Sequence, residues 1–264
     1  METDPRDSRF KQLLILLIAA GTFFGLAPLL LPKQFADIFG FAGKDIFVYR
    51  IAGAATFGYA VGLAYGFRSA WPALRIPIAG VFVFNAGSIV ACLVAIYNGG
   101  AQPVVYLILL ASLIFTASTG YFLVRPPTLA GTAVRYGPSE GLATWIVGLF
   151  AIGTLAAAFF GLAALIPAGK FGHLLGYPGL DDFIYRQGGS ATLGAAVGGV
   201  LVLISGKWEA ARIPALMALT FNGLSAIAAI LDIVSGGHPI AWLILVAATL
   251  VTIGSAIAIS REGR

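Results

Sequence analysis

The chain has 264 residues, of which 59% are hydrophobic and only 10% charged. A soluble domain carries about 25% charged residues, so this chain cannot cover a water-facing surface and belongs in a bilayer. The net charge of +5 comes with no basic face interleaved with aromatics, which excludes nucleic acid as a partner.

Charge-free runs predict an all-α integral membrane fold. A helix needs roughly 20 apolar residues to cross about 30 Å of hydrocarbon. Eight segments reach that length: 12–31, 47–67, 76–97, 104–124, 143–166, 183–205, 213–235 and 240–260. The run 76–124 is too long for one crossing, and NGGAQP (98–103) divides it. Barrel strands would read as short alternating segments instead. The first span follows a tail, 1–11. PKQF follows it rather than a small-x-small cleavage site, so it is expected to stay in the mature fold.

The segments after the first span repeat. FVYRIAGAATFGYAVG (47–62) and FIYRQGGSATLGAAVG (183–198) share ten of sixteen positions. FFGLA recurs at 23–27 and 159–163, RIP at 75–77 and 212–214, Phe84-Asn85 at Phe221-Asn222, and GG at 99–100 and 236–237. The chain therefore reads as two four-helix units, 12–124 and 143–260, joined by a linker at 125–142. A short tail, 261–264, closes it. An even number of spans returns each unit to its starting side. The expectation is eight transmembrane helices as two parallel four-helix repeats with pseudo-two-fold symmetry about the membrane normal. The loops 31–45 and 166–182 each read as a short amphipathic helix on the outer surface.

Lysine and arginine divide unevenly across this topology. One side holds Arg6, Arg9, Lys11, Arg68, Arg75, Arg125, Arg135, Lys207, Arg212, Arg261 and Arg264; the other holds Lys33, Lys44, Arg50, Lys170 and Arg186. The split of 11 against 5 places both termini in the cytoplasm by the positive-inside rule. The basic residues then meet anionic lipid headgroups. The expected location is the cytoplasmic (inner) membrane of a prokaryote. Cys92 is the only cysteine, which excludes an intramolecular disulfide and CxxC chemistry.

The shared polar positions are the candidate ligand-binding residues. Tyr49-Arg50 and Tyr185-Arg186 stand at the outer end of the second span of each unit. One reading is anchoring, with Tyr at the interface, Arg snorkelling and local ion pairs to Asp45, Asp181 or Asp182. The other is an anion site, since a guanidinium grips a carboxylate or phosphate bidentately. Asn85 and Asn222 fall mid-membrane in the third spans, with Ser88 and Ser225 one turn on. A buried amide needs a partner: the other Asn across the pseudo-axis, or a ligand in a central cavity. Gly53, Gly58, Gly62, Gly189, Gly194 and Gly198 are expected to let helices pack closely. Thr116, Thr119, Thr252 and Ser255 are expected to bond back to the preceding turn.

His173 and His238 lie on the outer side, but Asp37 and Ala101 replace them in the first unit, so neither a metal nor a haem site is expected. No GxGxxG, P-loop or HExxH occurs, and the sequence names no cofactor.

Three features, P-x-x-F-A-x-x-F-G-F (32–41), YR-x-x-G-A (49–54) and charge-free third and fourth spans, resemble the DoxX-like superfamily of four-helix membrane proteins. The resemblance implies a four-helix bundle and roles ranging from quinone-linked accessory subunits to lipid handling. Tandem duplication departs from the usual single unit, the lone Cys92 argues against a thiol-active relative, and no catalytic residue carries over.

The expected function is non-enzymatic: binding or moving a lipophilic or amphipathic anion, such as a lipid or a quinone-like molecule, with Arg50 and Arg186 as headgroup contacts. The alternative is an accessory subunit of a membrane redox complex. Expected partners are membrane lipids, a small lipophilic ligand and, on the alternative, other membrane-complex subunits. The spans hold few ionisable groups, which counts against proton-coupled transport. An enzyme acting on lipid would need Asp181, Asp182, Asp232, His173 or His238, and of these only Asp181 has a counterpart, Asp45.

Overall fold

The computed structural model describes residues 4–99, 101–129 and 141–262. Gly100, most of the linker with Arg135, and Arg264 lie outside the described residues. Ten helices follow one another: α1 (Pro5–Leu30), α2 (Pro32–Phe39), α3 (Ile46–Gly66), α4 (Trp71–Tyr97) and α5 (Pro103–Val124), then α6 (Thr144–Leu165), α7 (Ala168–Leu174), α8 (Asp182–Ser205), α9 (Trp208–Val234) and α10 (Ile240–Glu262). Among the described residues there is no strand, only an isolated bridge between Gly141 and Lys207. Eight of the helices are long and apolar enough to cross a membrane, and each coincides with one expected span.

Three helices begin earlier than the charge-free runs. α1 starts at Pro5, inside the stretch read as a tail. Asp4 caps it, accepting from the Arg6 amide at 2.8 Å, and Pro5 occupies the first turn, where no amide donor is needed. α4 and α9 start at Trp71 and Trp208, then pass through Arg75 and Pro77, and through Arg212 and Pro214. A long cation near a helix end can snorkel, and an internal proline is tolerated in a membrane helix. A charge-free run therefore underestimates such helices.

α3 and α8 meet at the centre. α1 and α9 pack on α3, α6 and α4 pack on α8, α5 lies on α4, and α10 lies on α9. Glycines bring the backbones together where these helices cross. A methyl at Gly53 would stand 2.6 Å from the Gly25 carbonyl oxygen, and one at Gly189 would stand 2.8 Å from that of Gly161. Gly80 and Gly194 make the α4–α8 crossing in the same way. The expected role of Gly53, Gly189 and Gly194 is thus seen directly. The peripheral helices leave large apolar side chains exposed, among them Leu110, Ile152, Leu155 and Leu250, a surface that suits lipid.

The loops at 31–45 and 166–182 both contain the expected short helix. α2 buries Phe35 and Ala36 and exposes Lys33, Gln34 and Asp37. α7 buries Ala168 and Gly172 and exposes Lys170 and Leu174. Both lie at the same end of the bundle as the start of α3 and α8.

Candidate functional site

The Tyr-Arg pairs occupy the first turns of α3 and α8, and their two arginines do different things. Arg186 Nη1 donates to the carbonyl oxygens of Leu165 and Ile166 at 2.6 and 3.0 Å, groups left open at the end of α6. Its Nη2 lies 3.7 Å from the Asp182 carboxylate, the local ion pair expected. Arg186 therefore ties α8 to the end of α6. Arg50 makes neither a hydrogen bond nor an ion pair among the described residues. The Asp45–Arg50 pair offered by the sequence does not form, because the Asp45 carboxylate turns inward.

That inward turn builds a reciprocal exchange. Asp181, 4% exposed, accepts from the amides of Gly43, Lys44 and Asp45 at 3.1, 2.9 and 3.0 Å. It also accepts from the Tyr49 hydroxyl at 2.8 Å. In return Asp45, 2% exposed, accepts from the Asp181 amide at 3.1 Å. Consecutive amides converging on one carboxylate form an anion nest, and Gly43 and Gly179 reach the needed turn with φ of 63° and 65°. Phe41 stacks on Phe183 and Phe47 on Tyr177, which keeps water from the exchange. The match is incomplete: Asp45 Oδ1 and the Tyr185 hydroxyl are buried with no partner. Burial raises the Asp45 carboxyl above its ordinary value; the facing amides oppose this and the Asp181 charge adds to it. Burial likewise raises the Tyr177 phenol, so it stays a donor.

Sequence reasoning placed Asp45 and Asp181 as counterparts but missed that each is the other's acceptor. The repeated G-x-D, at Gly43–Asp45 and Gly179–Asp181, was the signal available.

The asparagines do not meet. Each amide donates back along its own helix, Asn85 to Val81 O and Asn222 to Ala218 O, both at 2.9 Å. They line two separate cavities rather than a central one. Asn85 and Ser88 border a cavity of about 140 Å³ among α1, α3, α4, α5 and α8. Asn222 and Ser225 border one of about 320 Å³ among α3, α6, α8, α9 and α10. Tyr185 lines the larger cavity; neither Arg50 nor Arg186 lines either one. Thr119 and Thr252 bond back to Phe115 O and Ala248 O at 2.6 and 2.7 Å, as expected, whereas Thr116 Oγ1 is buried without a partner, contrary to expectation.

The wall of the larger cavity is almost wholly apolar, with Phe150, Phe160 and Ile244 prominent. Four of its side chains, Thr154, Tyr177, Tyr185 and Ser225, hold buried hydroxyls without a protein partner. Beside Tyr177, at the margin of this cavity, His238 Nδ1 lies 3.4 Å from Asp232, and the His238 ring packs 4.3 Å from that of Tyr177. No cluster of three metal-ligating side chains occurs among the described residues.

Comparison with family models, with curated proteins and with solved structures finds no match.

Proposed function

We propose that this chain is a membrane protein that binds or moves a lipophilic or amphipathic molecule, held in the larger cavity. The observation that carries the reading is an apolar cavity of about 320 Å³ bordered by a few polar residues, Thr192, Asn222 and Ser225 among them. Pockets that are mostly apolar with a few convergent polar groups are what small-molecule sites look like. The paired helix crossings, Gly25–Gly53 with Gly161–Gly189, and the Asp45–Asp181 exchange support two parallel four-helix units about a pseudo-two-fold axis. On that arrangement both termini are cytoplasmic, and the kinship to the DoxX-like superfamily concerns each unit.

Arg50 lines neither cavity, but among the described residues its guanidinium is not engaged, so it rather than Arg186 is open to an anionic headgroup that projects beyond the cavity wall. Ligand occupancy and melting temperature of the two alanine variants separate these roles. Arg50→Ala is expected to lose co-purified ligand at unchanged melting temperature. Arg186→Ala is expected to lose about 1.5–3 kcal/mol of stability. Equal stability loss in both, with ligand retained in both, would leave the arginines as anchors only.

A further inference from the structure

The two cavities differ in chemistry as well as in size. Asn85 and Ser88 on α4 line the smaller one, as Asn222 and Ser225 on α9 line the larger. The smaller one adds Ser112 from α5 and Gln187 from α8. At the positions 136 residues away, the larger one has Ala248 and Ile51. Ser112 donates to Ser88 at 2.9 Å. Ser225, with Ala248 in place of that donor, keeps a buried hydroxyl without a partner. Polar side chains are thus gathered in the first of two otherwise corresponding cavities.

Asn85 lies near the middle of α4 and is 8% exposed. Its Nδ2 donates to Val81 O, while its Oδ1 takes no bond among the described residues. That oxygen is not sealed by protein atoms as the Ser225 hydroxyl is, so it opens onto the cavity that Asn85 lines. An amide oxygen in apolar surroundings is costly unless a donor reaches it. Gln187 also spends little of its capacity, since its Nε2 makes only a 3.9 Å approach to Cys92 Sγ. The lining residues include no Asp, Glu, Lys, Arg or His, so a charged guest would go unpaired. Seven of them are aromatic, including the stacked pairs Tyr59–Phe84 and Phe41–Phe183. A ring among such neighbours gains beyond the area it buries. α1 and α5 line the cavity together yet touch only sparsely, which leaves a way in from the surface suited to lipid.

We propose that the smaller cavity is a second binding site, for an uncharged aromatic molecule of the phenol or indole type whose O–H or N–H donates to Asn85 Oδ1. The ring lies among the aromatic side chains, and the guest enters between α1 and α5. The site is separate from the larger cavity and does not depend on what that cavity holds.

The test titrates para-fluorophenol into the full chain in lipid nanodiscs and follows it by fluorine NMR, with empty nanodiscs as the blank. Saturable binding is expected, and indole should displace it. para-Fluoroanisole, which keeps the ring and lacks the donor, should bind about tenfold more weakly. Fluorocyclohexanol, which keeps the donor and lacks the aromatic ring, should bind several-fold more weakly. para-Fluorobenzoate should not compete. Asn85→Leu loses only a bond back to its own helix. It should lower the affinity for the phenol about tenfold, at unchanged melting temperature, and leave that for the anisole unchanged. Gly153→Leu with Val251→Phe fills the larger cavity and should leave phenol binding intact. No saturable binding, equal affinity for either analogue, competition by the benzoate, or unchanged phenol affinity in Asn85→Leu overturns the proposal. So does loss of binding in the variant whose larger cavity is filled, which would place the probe there. If Asn85→Leu does not fold, the two analogues decide.

Discussion

Asp45 and Asp181 look alike in sequence and carry unequal loads. Both Asp181 oxygens accept two bonds, so either end of an amide there would turn a donor toward two donors. Asp181→Asn is expected to cost about 2–3 kcal/mol, read as a lower melting temperature. Asp45→Asn keeps an acceptor for the Asp181 amide and removes a charge that burial and the Asp181 carboxylate oppose, so it should cost far less. Titration separates the two further. A carboxyl whose folded value lies above its ordinary 3.8 binds its proton more tightly when folded. The stability from Asp45 is therefore complete below pH 3.8 and lost as pH rises through the raised value. Melting scans across pH 4–8 should show Asp45→Asn gaining on the wild type as pH rises; a constant offset would contradict this. The Tyr and Arg pairs were legible because they recur as a dipeptide. The partners of Asp45 and Asp181 were not, since they are main-chain amides far along the chain and carry no side-chain signature.

Among the elements, the crossings set what the helices tolerate. At Gly53 an added methyl meets the backbone of α1, which cannot move aside as a side chain can. Gly53→Ala should destabilise by about 1–3 kcal/mol. Gly148 in α6 faces open space, so Gly148→Ala should gain up to about 1 kcal/mol from helix propensity alone. Thermal unfolding of the two variants in one detergent checks the contrast. The long helices were legible from their apolar runs, and α2 from its spaced apolar residues between Pro32 and Gly40. The starts of α4 and α9 were not. Arg75 and Arg212 interrupt the apolar pattern, and Pro77 and Pro214 imitate helix starts, although the backbone continues through both.

For the whole molecule, the unequal cavities, about 320 Å³ against about 140 Å³, decide where a guest fits. The sequence put Asn85 and Asn222 on equivalent faces and suggested one shared cavity. Their separation follows from α3 and α8 meeting between them, a packing that the repeat pattern leaves open. The differences between Leu17 and Gly153 and between Phe115 and Val251 are visible in the sequence, but their meaning depends on knowing that each residue faces a void. Native mass spectrometry of the full chain, released from mild detergent, tests the central claim most directly. Wild type is compared with Gly153→Leu/Val251→Phe. The expected result is one lipophilic adduct per chain in the wild type and none in the filled variant at equal melting temperature. An adduct retained equally by both, or a wild-type chain found without adduct inside a larger protein complex, would contradict it, and the latter would make the chain an accessory subunit.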